Sequence, residues 1–246
     1  MSDQSHHSAF IKLEHLTKIF QVASMEFIAL SEISITFHQH EFTAVVGRSG
    51  SGKSTLMNMI TGIDRPTKGK VTINGVDIHT LSETEMAKWR GTNLGIVFQF
   101  YQLIPVLSLL ENVMLPMQIA GKYTHTERID RAHHLLSEVN LQRLIHKRPY
   151  MVSGGQQQST AIARALANDP RILIADEPTG NLSSGEADRI FNIFQNLSQA
   201  GKTIIMVTHD EELANRAKRV LKIVDGRIRN DNNLSQAIGI KQEKPQ

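Results

Sequence analysis

The stretch "GRSGSGKST" at residues 47–55 constrains this chain more than any other. It follows the apolar run "FTAVV" and precedes "LMNMI", so it is a strand–loop–helix turn that fits G-x-x-x-x-G-K-[ST]. Gly50 and Gly52 let the backbone curl so that several N–H groups point inward. Lys53 sets a compact positive charge against the β- and γ-phosphates of a nucleotide. Ser54 offers a hydroxyl to Mg²⁺, and the following helix directs its positive end at the anion. Gly47, Arg48, Ser49, Ser51 and Thr55 complete the cradle. The alternative is a glycine-rich turn formed by accident, and the flanking strand and helix argue against it.

The rest of the chain supplies a sheet for that loop. "ISITF" (33–37) alternates apolar and polar, as a half-buried strand does. "KGKVTINGVDI" (68–78) carries Asn74-Gly75 between two such runs, a hairpin signal. The front is therefore antiparallel β. "FTAVVG" (42–47), "RILIAD" (171–176) and "TIIMVTHD" (203–210) are short continuous apolar runs, the pattern of strands buried on both faces in a parallel sheet. Helices are expected over 126–139, over 155–167 up to Asn168-Asp169-Pro170, and over about 185–199. Strands alternating with helices define an α/β layered core. The region of about 90–165 reads as mostly helical and as a subdomain. Residues 1–9 and 231–246 read as polar tails around one cassette at 10–230.

Nucleotide hydrolysis needs a carboxylate to organise Mg²⁺ and a group to handle water. "ILIADE" supplies both: Asp176 is expected to hold the metal, and Glu177 to act as general base. Alone, an Asp-Glu pair after an apolar run reads as a solvated strand end; a phosphate loop in the same sheet reverses that. His209 ends "TIIMVTH" at the sheet edge where open α/β folds bind ligands, and reads as a γ-phosphate and water-positioning group rather than a structural histidine. Gln99, behind "IVF", is either a strand-end ligand to Mg²⁺ and water or a merely solvated polar residue.

"VSGGQQQST" (152–160) opens a second anion-binding helix end. Ser153 is a good N-cap, and Gly154 and Gly155 leave the first-turn N–H groups unshielded. One nucleotide does not need two cradles so far apart in sequence. Closure of one copy's patch over the nucleotide of another resolves this; a flexible helix start is the alternative.

Composition removes other classes. Without cysteine there are no disulfides and no thiolate zinc site. The formal net charge is +3 with dispersed basic residues, so no nucleic-acid partner is expected. No apolar run approaches the ~20 residues of a bilayer span. The polar start lacks a signal-peptide layout, so a cytoplasmic, soluble chain is expected.

These residues together resemble an ABC-type ATPase, over about residues 10–230. "SGGQQQ" resembles the ABC signature, "GRSGSGKST" the Walker A motif, and "ILIADEP" Walker B with its catalytic glutamate; Gln99 matches the Q-loop and His209 the H-loop. Phe20 falls where the family carries an aromatic that stacks on adenine. "GIDRPTKGKV", "FQFYQLIPVLSLLENVMLPM" and "ADEPTGNL" are similar to the lipoprotein-release and macrolide-efflux branch (LolD- and MacB-like), which also includes the cell-division ATPase FtsE.

The resemblance implies a P-loop NTPase with a RecA-like core, an antiparallel β subdomain and a helical signature subdomain. It implies two copies sandwiching two ATP with Mg²⁺ head to tail, so that Ser153, Gly154, Gly155 and Gln156 of one meet the γ-phosphate bound by Lys53 of the other. An integral-membrane permease would hold the pair on the inner face of the cell membrane, with part of 100–120 lining the groove for it. A regulatory ATPase signalling across the membrane, like the cell-division relative, is the alternative. Departures from the family are Ser183 for Asp, Ser159-Thr160 for Arg-Val, Val152 for Leu, and His40 for Gly. None removes a metal, phosphate or base ligand, so binding is expected intact, with the speed and coupling of hydrolysis at issue.

Overall fold

The computed structural model describes residues 9–23 and 25–233. The terminal tails expected from sequence thus lie largely outside the described residues. Two corrections apply at their edges: Ala9 starts a strand, and 231–233 end one.

Strand β1 (Ala9–Val22) and β2 (Met25–His38) form a long antiparallel hairpin in which Phe20 lies opposite Phe27. A third strand, β3 (Phe42–Val46), leads into the glycine-rich loop and helix α1 (Lys53–Thr61). The turn Asn74-Gly75, with φ 49° and 81°, joins β4 (Lys68–Ile73) to β5 (Val76–Asp77), as its residues require. Helix α2 (Glu83–Asn93) precedes β6 (Leu94–Val97). Then come α3 (Leu109–Ile119), α4 (His125–Glu138) and α5 (Gly154–Ala165). Next are β7 (Ile172–Asp176), α6 (Ser184–Gln199), β8 (Thr203–Thr208) and the short α7 (Glu211–Ala214). A final hairpin pairs β9 (Arg219–Val224) with β10 (Arg227–Asn233).

The strands form two sheets. One has four strands in the order β2-β1-β4-β5; the other has six, in the order β10-β9-β3-β8-β7-β6, parallel except at β10. The helical reading of about 90–165 is corrected at its start. Residues 94–97 are an edge strand of the larger sheet, and its three helices begin only at Leu109.

Burial follows the sequence pattern. Every residue of β3 and β8 is buried, and every residue of β7 except Asp176. Alternation then sorts side chains onto two faces. Phe42, Ala44, Val46, Leu173, Ala175, Ile204 and Met206 pack with α3, α4, α5 and α6. Val45, Ile172, Ile174, Ile205 and Val207 pack with α1 and the smaller sheet. Phe191 of α6 stacks on Phe42 with ring centroids 5.3 Å apart. Each such fully buried ring contributes about 1.5–3 kcal/mol of transfer free energy. Helices α2, α3, α4, α5 and α6 all open on a reciprocal capping box, at Ser82/Glu85, Ser108/Glu111, Thr124/Glu127, Ser153/Gln156 and Ser183/Glu186.

One buried ionic network ties the two sheets together. Arg219 of β9 grips Asp231 through two hydrogen bonds of 2.7 and 2.6 Å. It also donates to Glu41 at 3.1 Å and to the carbonyl of Thr36 in β2 at 2.8 Å. The Arg219 and Glu41 side chains are each only 6% exposed. The carboxylates hold the guanidinium pKa above its ordinary value against burial, which lowers it. Replacing Arg219 by Met strands a buried Glu41 charge. A loss of about 3–5 kcal/mol in urea unfolding is expected, with partial recovery in Arg219→Met/Glu41→Leu.

Candidate active site

The carboxyl ends of β3, β8, β7 and β6 lie side by side in that order, so whatever follows each strand meets at one edge. The glycine-rich loop follows β3, His209 follows β8, Asp176 and Glu177 close β7, and Gln99 follows β6. A cleft of about 410 Å³ opens there. It is lined by Ser49, Gly50, Gly52, Lys53, Ser54, Thr55, Gln99, Glu177 and His209, together with Phe27 and Ala29.

The loop is built around the start of α1. Gly52 caps the helix at φ 102°, and a Cβ there would lie 2.5 Å from the Ala29 carbonyl oxygen, so only glycine fits. No acidic side chain stands in the first turn of α1, which leaves its partial positive charge free for an anion. Lys53 is buried, and its ammonium donates to the carbonyls of Gly47 and Arg48 at 2.8 and 3.0 Å. The Ser51 hydroxyl is buried with no hydrogen-bond partner, a polar atom the cradle leaves unsatisfied. Gly47, Arg48 and Ser51 line a second cleft behind the loop, with His209, Glu211 and Lys222.

The carboxylates differ in surroundings. The Ser54 hydroxyl donates to Asp176 Oδ1 at 3.4 Å. Burial pushes the Asp176 carboxyl pKa above the usual carboxylate range; Ser54 opposes the rise, the Glu177 charge adds to it, and Lys53 opposes it. Glu177 sits at φ 47°, a left-handed conformation that β-strand residues avoid, with its N–H on the Val207 carbonyl at 2.9 Å. Its Oε2 accepts from the His209 ring Nδ1 at 2.7 Å and from the His209 backbone N–H at 3.3 Å. His209 thus aims the carboxylate and faces the cleft.

Two of the named groups do not line this cleft: Phe20, and the Ser153 helix start, which is expected to meet the nucleotide of a second copy. Phe20 is half-buried on β1 with the Lys18 ammonium 4.9 Å above its ring; the aromatic lining the cleft is its cross-strand neighbour Phe27, 54% exposed. Nothing in the sequence singled out Phe27. Ser153, Gly154, Gly155 and Gln156 do not line the cleft. They open α5, which holds the 98–102 loop from the side: Gln158 donates to the Pro178 and Phe98 carbonyls at 2.8 and 3.4 Å, and Arg164 to those of Tyr101 and Gln102 at 2.8 and 2.6 Å. Ser159 and Thr160 are buried, and their hydroxyls bond back to Gly155 and Gln156 at 2.9 and 2.8 Å. A charged interface anchor is therefore not what position 159 provides here.

A strand–loop–helix phosphate cradle facing a carboxylate pair defines a P-loop nucleotide hydrolase. The ABC transporter family model matches residues 30–180, and the chain belongs to that family as its ATP-binding, ATP-hydrolysing cassette. It is 44% identical over 219 residues to the lipoprotein-releasing system ATP-binding protein LolD of Anaeromyxobacter dehalogenans, covering 89% of this chain and 92% of the relative. It is 42% identical over 236 residues to the macrolide export ATP-binding/permease protein MacB of Hyphomonas neptunium, covering 96% of this chain but 36% of that longer protein. The dimeric post-hydrolysis structure of the cassette MJ0796, bound to ADP and Pi, superposes with a TM-score of 0.85 at 38% identity, covering 91% of this chain and 98% of that one. These relatives do not favour the cell-division alternative. Among the described residues, no helix is long and apolar enough to cross a membrane.

The raised Asp176 pKa has a measurable consequence. A raised folded-state pKa means that folding favours the protonated form, so stability falls as pH rises through that pKa. Asp176→Asn is therefore expected to stabilise the nucleotide-free protein at pH 8, modestly because the group is partly screened by solvent. The gain should shrink toward pH 4 in thermal melts, while ATP hydrolysis is lost.

Proposed function

We propose that two copies of this chain close head to tail on two ATP molecules, and that opening after hydrolysis drives a membrane permease. One observation carries this reading: the chain holds two bare helix N-termini, and only one faces its own cleft. Among the described residues, α1 and α5 alone of the seven helices carry no acidic residue in the first turn. The first turn of α1 lines the cleft, and that of α5 does not. A second copy brings the α5 end, through Ser153, Gly154, Gly155 and Gln156, onto the γ-phosphate held by Lys53. The dimeric form of the related cassette supports this arrangement.

Within each cleft, the loop from Gly47 to Thr55 cradles the phosphates, and Phe27 offers an aromatic wall for the base in place of Phe20. Ser54, Asp176 and Gln99 present only oxygen donors, which suits Mg²⁺. No cluster of three or more His, Asp and Glu stands among the described residues, as for an ion shared between protein and phosphates. Bound there, Mg²⁺ would neutralise charge on the phosphates. Glu177 takes a proton from the attacking water as its oxygen bonds to the γ-phosphorus and the bond to ADP breaks; His209 holds the carboxylate in place.

The run 100–120 divides as a permease contact needs. Leu109, Val113, Met114 and Met117 are buried in the helical core, whereas Phe100, Ile104 and Val106 stand exposed before α3. An apolar loop tied through Gln158 and Arg164 to α5 is a physical route from closure to the membrane partner. That partner would hold the dimer at the inner face of the cell membrane.

Lys53→Ala should abolish tight ATP binding in calorimetry; unchanged affinity refutes the cradle. Glu177→Gln should keep binding, cut phosphate release about 10²-fold or more, and trap a dimer in light scattering with ATP and Mg²⁺. A variant that stays monomeric at saturation refutes the sandwich.

A further inference from the structure

Helix α6 also opens on a capping box, at Ser183/Glu186, and Glu186 does more than the box requires. In α2, α3 and α4 the acid at the third helical position, Glu85, Glu111 or Glu127, folds back onto its own N-cap residue. Glu186 stands at the same position of α6, and its Oε2 accepts from the Ser183 hydroxyl at 3.0 Å and from the Ser183 N–H at 3.4 Å. Its other oxygen leaves the helix. Oε1 accepts from the Ser153 hydroxyl at 3.2 Å and lies against the start of α5 at Gly155. The fit is close: a Cβ on Gly155 would lie 2.7 Å from Glu186 Oε1.

One carboxylate thus bridges two helix N-termini. Ser183 contributes most to holding its pKa below the usual range, with Ser153 and Gly155 adding to the effect. The first turn of α5 has no acid of its own, and its third-position residue is the neutral Gln156. The positive end of α5 is therefore neutralised from outside, by α6. Tyr101 covers the other side, its hydroxyl 2.7 Å from where a Cβ on Gly154 would stand.

We propose that Glu186 is an internal stand-in for the partner's γ-phosphate: it occupies the Ser153–Gly155 anion site in the open subunit and must be displaced before two copies can close on ATP. This rests on the sandwich reading. The Ser153 hydroxyl that the carboxylate holds, and the space beside Gly155 that it fills, are what an incoming phosphate requires, and two anions cannot share them. Glu186 thereby sets the ATP concentration at which closure occurs.

The test uses the full chain in the Glu177→Gln background, where the closed dimer accumulates, with ATP and Mg²⁺ titrated by light scattering. Glu186→Gln removes the charge but keeps a side chain competent for the capping box. Glu186→Asp keeps charge and cap but is too short to reach Ser153, so it serves if the Gln variant melts early. Losing one carboxylate from a helix end should lower the ATP needed for half-maximal dimer by about two- to fivefold. A midpoint unchanged or raised in both variants overturns the role of Glu186 while leaving the sandwich standing. A Glu177→Gln reference that never dimerises overturns the sandwich and this proposal with it.

Discussion

The register of the parallel pairs fixes everything the site does. Val46 pairs with Thr208, and Asp176 with Val207, so β3, β8 and β7 end level with one another. That places the loop before α1, His209 and the Asp176-Glu177 pair on one line without any side chain reaching far. Asp176 can meet Ser54 at 3.4 Å because the backbone ladder has already brought residues 122 positions apart together. Sliding one strand by a single residue would turn its side chains to the other face and break this alignment. Arg219 protects the register from the far side of the sheet, joining β9 and β10 to Glu41 and to Thr36 of the smaller sheet.

Much of this was legible because the chemistry is written in local spacing. A buried parallel strand reads as an uninterrupted apolar run, and β3, β7 and β8 fell where those runs are. The helices over 125–138, 154–165 and 184–199 followed from periodicity and N-cap residues. Strand β6 shows in the sequence only as the "IVF" before Gln99, because Leu94–Val97 is four residues long, too short for any period to show. Phe27 was missed for a different reason. Its place in the cleft comes from the β1–β2 register, in which Phe27 lies opposite Phe20, and cross-strand pairing is not visible along one strand. Nothing along the sequence marks Glu186, because its second contact exists only where α5 approaches α6.

The departures from the family sort themselves by burial. Ser159 and Thr160 turn inward and satisfy their hydroxyls within α5, so they change packing rather than an exposed charge. His40 sits at φ 59°, a conformation glycine adopts without strain, in a turn where its backbone N–H bonds the Thr203 hydroxyl at 3.0 Å. Ser183 is the departure with reach. A serine can donate its hydroxyl to Glu186, whereas an aspartate there would face that carboxylate with a second negative charge.

That last point links the charge pattern of the whole molecule. Among the described residues, five of the seven α-helices carry an acid in the first turn, the ordinary way to neutralise a helix N-terminus. The other two are bare, and bareness at a helix start has a standing cost because unshielded N–H groups need a partner. The α1 end meets this need with a nucleotide phosphate, and its Lys53 waits on the carbonyls of Gly47 and Arg48. The α5 end has no acid within its own first turn, so α6 lends it one through Glu186. A group borrowed across an element boundary can be withdrawn by a side-chain rotation, without unfolding either helix. An acid built into α5 itself could not leave so easily, and the helix would then be closed to phosphate in every state.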